Sequence, residues 1–381
     1  MKRVLFVVHA LNVGGVGTVL TNIANGLAKK GYEITIAVTS DKIEGANKLL
    51  PQIELKHKDE PQPFALKKML YIRNFFESGM WSRRKAPNKL YKYFVGNEKE
   101  YDIEIAFFFG RPLKVVFGSP NKQSKKILWI HTDYKYGAEK GFLSGFANSN
   151  DALEAYLFFD DVVCVSKGVK QSFEEVIGRR KRVKVIHNIN DLDRIKRLSV
   201  QDNHKERQCF TFVCVGRLSA EKGVIRLLES ARRLKQENYL FELWIVGDGL
   251  ERNNLERYAD EYNMRSQVHF WGNQTNPYSY IAKADILVCP SECEAYGLVI
   301  AEAFILGKPV ISTDCVGPRE LLDNGKYGLL VENNMDGVYN GMKQVLDNRS
   351  VLEHYSLMAQ QRQFFFEKED IIGEIEKVFF E

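Results

Sequence analysis

Residues 209–246 read CFTFVCVGRLSAEKGVIRLLESARRLKQENYLFELWIV. Cys209–Val215 is a short apolar run rich in strand formers, Gly223–Gln236 has helical periodicity, and Phe241–Val246 is a second strand-like run. Strand, helix and strand in that order make the βαβ unit of a parallel sheet. Onward, the pattern predicts a helix over Leu250–Tyr262, strands over Val268–Trp271 and Ile286–Cys289, a helix over Val299–Leu306 and a strand over Pro309–Ser312. Backward, Val4–Ala10 reads as a strand, and Thr18–Lys29 as a helix with Leu20, Ile23, Ala24 and Leu27 on one face. Gly31 stops that helix, and Glu33–Thr39 is the next strand. Asp102–Phe108, Lys126–Ile130, Asp161–Val165 and Val183–Ile186 are further buried-strand candidates. The polar stretch LSVQDNHKERQ, Leu198–Gln208, separates the two runs as a linker. The expectation is an α/β chain of two doubly wound domains facing a cleft, with ligands beyond the carboxyl ends of the strands where strand order reverses.

Composition agrees. A length of 381 residues suits two or three domains, and 45% apolar with 27% charged residues excludes a disordered or fibrous chain. No run approaches the roughly 20 apolar residues of a membrane helix. The start, MKRVLFVVHALNVGG, lacks a small-x-small cleavage site and runs into a glycine loop, so it reads as a buried first strand and not as a leader. Cys164, Cys209, Cys214, Cys289, Cys293 and Cys315 are scattered, without a second pair at zinc spacing, as in a reducing cytoplasm. Net charge is only +5, yet residues 56–92 hold ten Lys/Arg against three acids, among them Lys67, Lys68, Arg73, Arg83, Arg84 and Lys85. Aromatic and apolar side chains such as Phe75, Phe76 and Trp81 lie between the cations, which suits an anionic membrane surface. A solvated helix face over an ordinary core stripe fits the same pattern. No recognition motif for nucleic acid accompanies it.

Three strand-end loops carry chemistry. In Gly216-Arg217-Leu218-Ser219-Ala220-Glu221-Lys222-Gly223, two cations flank a turn that opens a helix, an arrangement suited to phosphate. A plainer reading has Ser219 capping the helix and both cations in solvent. In Ser291-Glu292-Cys293-Glu294-Ala295-Tyr296-Gly297-Leu298-Val299-Ile300-Ala301-Glu302-Ala303, two carboxylates eight residues apart flank a helix start left open by Gly297. Carboxylates accept from hydroxyls, so the pair around an anion site suits a sugar, a diphosphate and a ribose in line. In Asn12-Val13-Gly14-Gly15-Val16-Gly17 a glycine loop follows the first strand. It departs from the dinucleotide fingerprint, and Asp41 lies beyond the expected ribose-binding position.

These segments resemble the GT-B glycosyltransferases, glycosyltransferase family 4, over nearly the whole chain. The strongest marks are GRLSAEKG at 216–223 and SECEAYGLVIAEA at 291–303, which fits the family's Glu-x7-Glu pattern. Gly247-Asp248-Gly249, Gly307-Lys308-Pro309 and Gly317-Pro318-Arg319-Glu320 support it. The resemblance implies two Rossmann-like domains: an acceptor-binding domain over 1–198, a donor-binding domain over 199–365, and a last helix, about 366–381, packed back on the first. It implies a retaining hexosyltransferase that takes a nucleoside diphosphate sugar, UDP-linked by the family's habit. By resemblance Gly216, Arg217 and Lys222 hold the donor diphosphate, Glu302 the ribose and Glu294 the transferred sugar. Backbone N–H groups of Tyr296, Gly297, Leu298 and Val299 touch sugar and phosphate, and Gly272 with Asn273 meets the base. Gly14 and Gly15 lie near the phosphates, and His131 lies beside the donor sugar. Where many relatives carry an acid after the paired glycines, this chain has Gly17.

Breaking the anomeric C–O bond puts negative charge on the departing phosphate, which a metal or fixed cations must stabilise. The one Asp-x-Asp, Asp191-Leu192-Asp193, reads as a turn or helix cap, so Arg217 and Lys222 are expected to act without metal or cofactor. With both glutamates assigned to binding, no glycosyl-enzyme is expected; the leaving phosphate takes the acceptor's proton. The expected acceptor is a lipid-linked saccharide in cell-surface polysaccharide assembly, and the expected location is the inner membrane face, peripherally bound through residues 56–92. Alternatives are a nucleotide-sugar 2-epimerase of similar fold and a catalytically silent partner of another transferase.

Overall fold

The computed structural model describes residues 2–11, 14–57, 85–140, 153, 155–179, 182–201 and 207–381. They form two units: Met1–Ile189 with Asp370–Glu381, and Asn190–Glu369.

The first unit is built on seven strands: β1 (Arg3–Val8), β2 (Glu33–Val38), β3 (Glu54–Lys56), β4 (Ile103–Ala106), β5 (Lys125–Ile130), β6 (Asp161–Cys164) and β7 (Val183–Val185). All pairings are parallel, in the order β3-β2-β1-β4-β5-β6-β7. β1, covered on both faces, is apolar through its buried core, with Val4, Leu5, Phe6 and Val7 all fully buried. The helix Gly15–Lys29 follows β1 and buries Leu20, Ile23, Ala24 and Leu27, the predicted face. The last helix, Ile371–Phe380, belongs to this unit: Lys30 Nζ meets Glu376 Oε2 at 2.5 Å, Lys125 Nζ donates to the Val378 carbonyl, and the Tyr32 and Phe379 rings meet edge to face.

The second unit holds β8 (Thr211–Val215), β9 (Glu242–Val246), β10 (Val268–Gly272), β11 (Ile286–Cys289), β12 (Val310–Thr313) and β13 (Leu329–Val331), parallel in the order β10-β9-β8-β11-β12-β13. Side chains alternate across the pleat. Leu243 and Ile245 face the cluster of Leu227, Leu228 and Met342 beneath the helices Val224–Gln236 and Met335–Asp347. Trp244 lies opposite, edge-on to Tyr280 of the helix Tyr278–Lys283.

The α/β architecture of two doubly wound sheets is as read from the sequence, with different boundaries. The first unit ends at Ile189, not 198, because Asp191 caps a helix, Leu192–Ser199, that packs on the helices Tyr278–Lys283 and Leu298–Ile305 of the second unit. Asp191 accepts from the Arg194 N–H at 3.0 Å, the cap role expected of that residue. The helix Arg349–Lys368 stays with the second unit to Glu369, its Phe366 ring against Phe304, so the return begins at Asp370 and not 366. Residues 202–206 of the linker, 58–84 of the basic segment, and Arg180 and Lys181 lie outside the described residues. Of the basic segment, Lys56 donates to the Val95 carbonyl, and the helix Lys85–Phe94 exposes Lys89 and Lys92 while burying Leu90 and Tyr91. Among the described residues no helix is long and apolar enough to cross a membrane.

Candidate active site

β8 and β11 are neighbours, and the chain winds outward from them in opposite directions. Their C-terminal loops therefore open where strand order reverses, the place at which such sheets bind ligands. Both loops are the ones singled out by sequence.

After β8, the Gly216 N–H donates to the Val246 carbonyl and Leu218 N–H to the Asp248 carbonyl, at 3.0 and 2.9 Å. Ala220–Lys222 makes one 3-10 turn before the helix Val224–Gln236. Ser219 does not cap that turn; its hydroxyl donates to Glu221 Oε1 at 2.7 Å.

After β11, residues 290–297 are bonded from several directions. Glu292 N–H donates to the Glu221 carbonyl at 2.8 Å, stitching this loop to the first. Thr313 Oγ1 donates to the Ser291 carbonyl at 2.6 Å, Gly317 N–H to the Glu294 carbonyl at 3.0 Å, and Asn333 Nδ2 to the Glu292 carbonyl at 2.9 Å. Gly297, at φ 95°, turns the chain into the helix Leu298–Ile305 without a side-chain cap. Leu298 and Val299 are thus the first-turn residues whose N–H groups an α-helix cannot satisfy internally. The Tyr296 ring is buried, leaving its backbone as the part that can meet a ligand.

Gly216, Arg217, Lys222, Ser291, Glu294 and Val299 come together around an open pocket. Lys222 and Glu294, expected to serve different parts of a ligand, are bonded to each other: Nζ lies 2.5 Å from Oε2, with side chains 27% and 16% exposed. Burial works against the Lys222 charge, but Glu294 outweighs it and holds the ammonium well above its usual range. Ser291 Oγ is a second partner of the same Glu294 oxygen, at 3.4 Å. Arg217 is 70% exposed, its guanidinium 3.3 Å from Glu221.

Glu302 does not line this pocket. One helical turn further in, it accepts from Tyr278 Oη at 3.4 Å with Arg194 beyond, and burial pushes its carboxyl up to about 7. The two glutamates thus flank the helix start in unlike surroundings, one ion-paired and one held by a phenol. Gly272 ends β10, the edge strand, and Asn273 follows it: the Gly272 carbonyl accepts from Gly247 N–H at 2.8 Å, and Asn273 is exposed. They stand apart from the Lys222 pocket.

The remaining predicted residues belong to the first unit. Gly14 precedes the Gly15–Lys29 helix with extended backbone, φ −149°, so neither glycine occupies a left-handed conformation; Asn12 and Val13 lie outside the described residues. His131 follows β5, its ring 4.5 Å from that of Phe107. Burial lowers its pKa to about 3, so the ring is neutral, and its Nε2 has no hydrogen-bond partner among the described residues. A neutral imidazole offers a hydrogen bond here, not a positive charge.

Sequence reasoning passed over Glu221, Arg226, Tyr278 and Arg194. Arg226 Nη2 lies 3.2 Å from Glu292 Oε1, fastening the second loop from the helix after the first. Neither Arg226 nor Tyr278 stands in a motif; only their packing partners distinguish them.

The Glycosyltransferase Family 4 model matches residues 13–194 and the Glycosyl transferases group 1 model residues 196–362. The chain belongs to the GT-B glycosyltransferases of that family. It is 22% identical over 375 residues to the Campylobacter jejuni N-acetylgalactosamine-N,N'-diacetylbacillosaminyl-diphospho-undecaprenol 4-alpha-N-acetylgalactosaminyltransferase, covering 97% of this chain and 96% of that one. To the lipopolysaccharide core biosynthesis glycosyltransferase LpsE of Rhizobium meliloti it is 28% identical over 193 residues, 50% of this chain and only 55% of LpsE's length. The crystal structure of Anabaena HepE in complex with UDP shares the fold, with TM-score 0.73 at 19% identity over 99% of each chain.

Proposed function

We propose that the protein is a retaining glycosyltransferase that moves a sugar from a nucleoside diphosphate, UDP, to a lipid-linked saccharide in cell-surface polysaccharide assembly. The observation that carries this reading is the convergence of Lys222, Arg217 and Glu294 on one pocket at the switch point of the second sheet. The acceptor class draws support from the diphospho-undecaprenol in the name of the Campylobacter relative, and the polysaccharide setting from LpsE. Association with the inner membrane face through residues 56–92 belongs to the same proposal.

The chemistry follows from charge. As the anomeric C–O bond breaks, an electron pair leaves with the β-phosphate, and Lys222 and Arg217 neutralise it with no divalent metal. Cations already placed against the bound diphosphate need no further reorganisation at that moment. Glu294 accepts from hydroxyls of the sugar and Glu302 from the ribose. The acceptor hydroxyl attacks the face the phosphate leaves and gives its proton to that phosphate, so configuration is retained.

Nucleotide release from UDP-, GDP- and ADP-sugars, with and without a polyprenyl-diphosphate saccharide, tests the reading. Acceptor-dependent release of UDP with an α-linked product from an α-linked donor is expected. Acceptor-independent conversion of the sugar, or no turnover of any donor, contradicts it.

A further inference from the structure

In this structure the two groups assigned to opposite ends of a donor meet each other. Lys222 Nζ and Glu294 Oε2 are 2.5 Å apart, so a phosphate that takes Lys222 competes with Glu294 for the same ammonium. We propose that this pair is a latch that discriminates the intact nucleoside diphosphate sugar from the nucleoside diphosphate left after transfer, favouring release of the spent nucleotide. The proposal rests on the donor-site reading above.

A nucleoside diphosphate takes Lys222 and leaves the Glu294 carboxylate, 16% exposed, with Ser291 Oγ at 3.4 Å. Removing one partner of a shielded ion pair strands the other charge at a cost, whereas replacing both partners does not. A sugar on the same diphosphate brings hydroxyls that donate to Glu294 while the phosphate takes Lys222. Both halves of the broken pair are then compensated, and cleavage of the sugar–phosphate bond removes one compensation.

The exchange needs only side-chain rotation. Glu292 N–H to the Glu221 carbonyl, Gly317 N–H to the Glu294 carbonyl and Thr313 Oγ1 to the Ser291 carbonyl fix the backbones carrying both residues. The latch also couples the two half-ligands: a nucleoside diphosphate frees Glu294 for a separate sugar, and by reciprocity the sugar frees Lys222 for phosphate.

Calorimetric titration with UDP and UDP-glucose, on the wild-type protein and Glu294→Gln, tests this; GDP with GDP-mannose and ADP with ADP-glucose cover other bases. In Glu294→Gln the competitor for Lys222 is gone, so UDP should bind about tenfold tighter while UDP-glucose gains nothing. Unchanged UDP affinity overturns the latch, and so does equal tightening of both ligands, which reports only the loss of a nearby negative charge. Should Glu294→Gln fail to fold, the wild-type protein decides: glucose should tighten UDP severalfold, and absence of that coupling overturns the proposal. If wild-type protein binds no nucleotide of either kind, the donor-site reading itself has failed, a result distinct from nucleotide binding without coupling.

Discussion

Replacing Gly317 by alanine probes the site from outside the pocket. A Cβ there would lie 2.5 Å from both the backbone N and Cα of Tyr296 and 2.6 Å from the carbonyl carbon of Ala295. All three are backbone atoms, so the Ala295–Tyr296 peptide must retreat by about 0.9 Å to reach ordinary contact, and a misplacement near 1 Å costs about a hundredfold in rate. The displacement falls next to Glu294, whose carbonyl accepts from the Gly317 N–H and whose carboxylate holds Lys222. Overpacking of this kind costs about 1–3 kcal/mol, or roughly 2–4 °C of Tm per kcal/mol in a unit of this size. Donor-dependent nucleotide release and thermal unfolding, measured on the same preparation, should show about a hundredfold slower turnover with a Tm loss of about 12 °C or less. Gly317→Ala turning over at the wild-type rate would refute the claim that the close packing of Gly317 on the Ala295–Tyr296 peptide holds Glu294 in register.

The other expectations concern charge. Arg217→Ala and Lys222→Ala should each lower turnover at least about a hundredfold, with a chelator changing nothing; strong inhibition by chelator would overturn the fixed-cation assignment. Only Lys222→Ala should also lower Tm, since it strands the shielded Glu294 carboxylate, whereas Arg217 is 70% exposed. Glu302 keeps its proton up to about 7 in the fold but only to the ordinary carboxylate range when unfolded. The folded state then binds the extra proton between those values, and stability declines as pH rises through them. Thermal scans of Glu302→Gln against wild type should show a gain that grows from pH 5 to 7 and then levels; an equal gain at pH 5 would contradict the assignment. The lowered pKa of His131 works oppositely: the unfolded chain binds its proton first, so stability falls as pH drops from about 6.5 toward 3. His131→Phe should lessen that fall in acid denaturation curves, and an unaltered acid limb would count against a neutral buried ring.

Much of this arrangement is legible in the chain because parallel strands buried on both faces are predominantly apolar. β8, β11 and the helix Val224–Gln236 stand within two residues of where periodicity puts them. β3 and β13, three residues each at sheet edges, are too short to show any period. The Glu-x7-Glu and GRLSAEKG segments identify the right loops because strand-end position and residue type coincide. Their mutual geometry is not written in the sequence. That Lys222 pairs with Glu294 across 72 residues follows from β8 lying next to β11, a neighbour relation that no local pattern encodes. Likewise Tyr278 and Arg194 reach Glu302 through helix packing, and the boundary at Ile189 depends on which unit the helix Leu192–Ser199 covers.

The most direct measurement is a crystal structure with the nucleoside diphosphate bound. The account predicts the β-phosphate within hydrogen-bond distance of Lys222 Nζ, the Arg217 guanidinium swung from Glu221 onto the same phosphate, and Glu294 no longer paired with Lys222. A diphosphate held by a divalent cation, or seated away from the β8 and β11 loops while Lys222 and Glu294 remain joined, would contradict it.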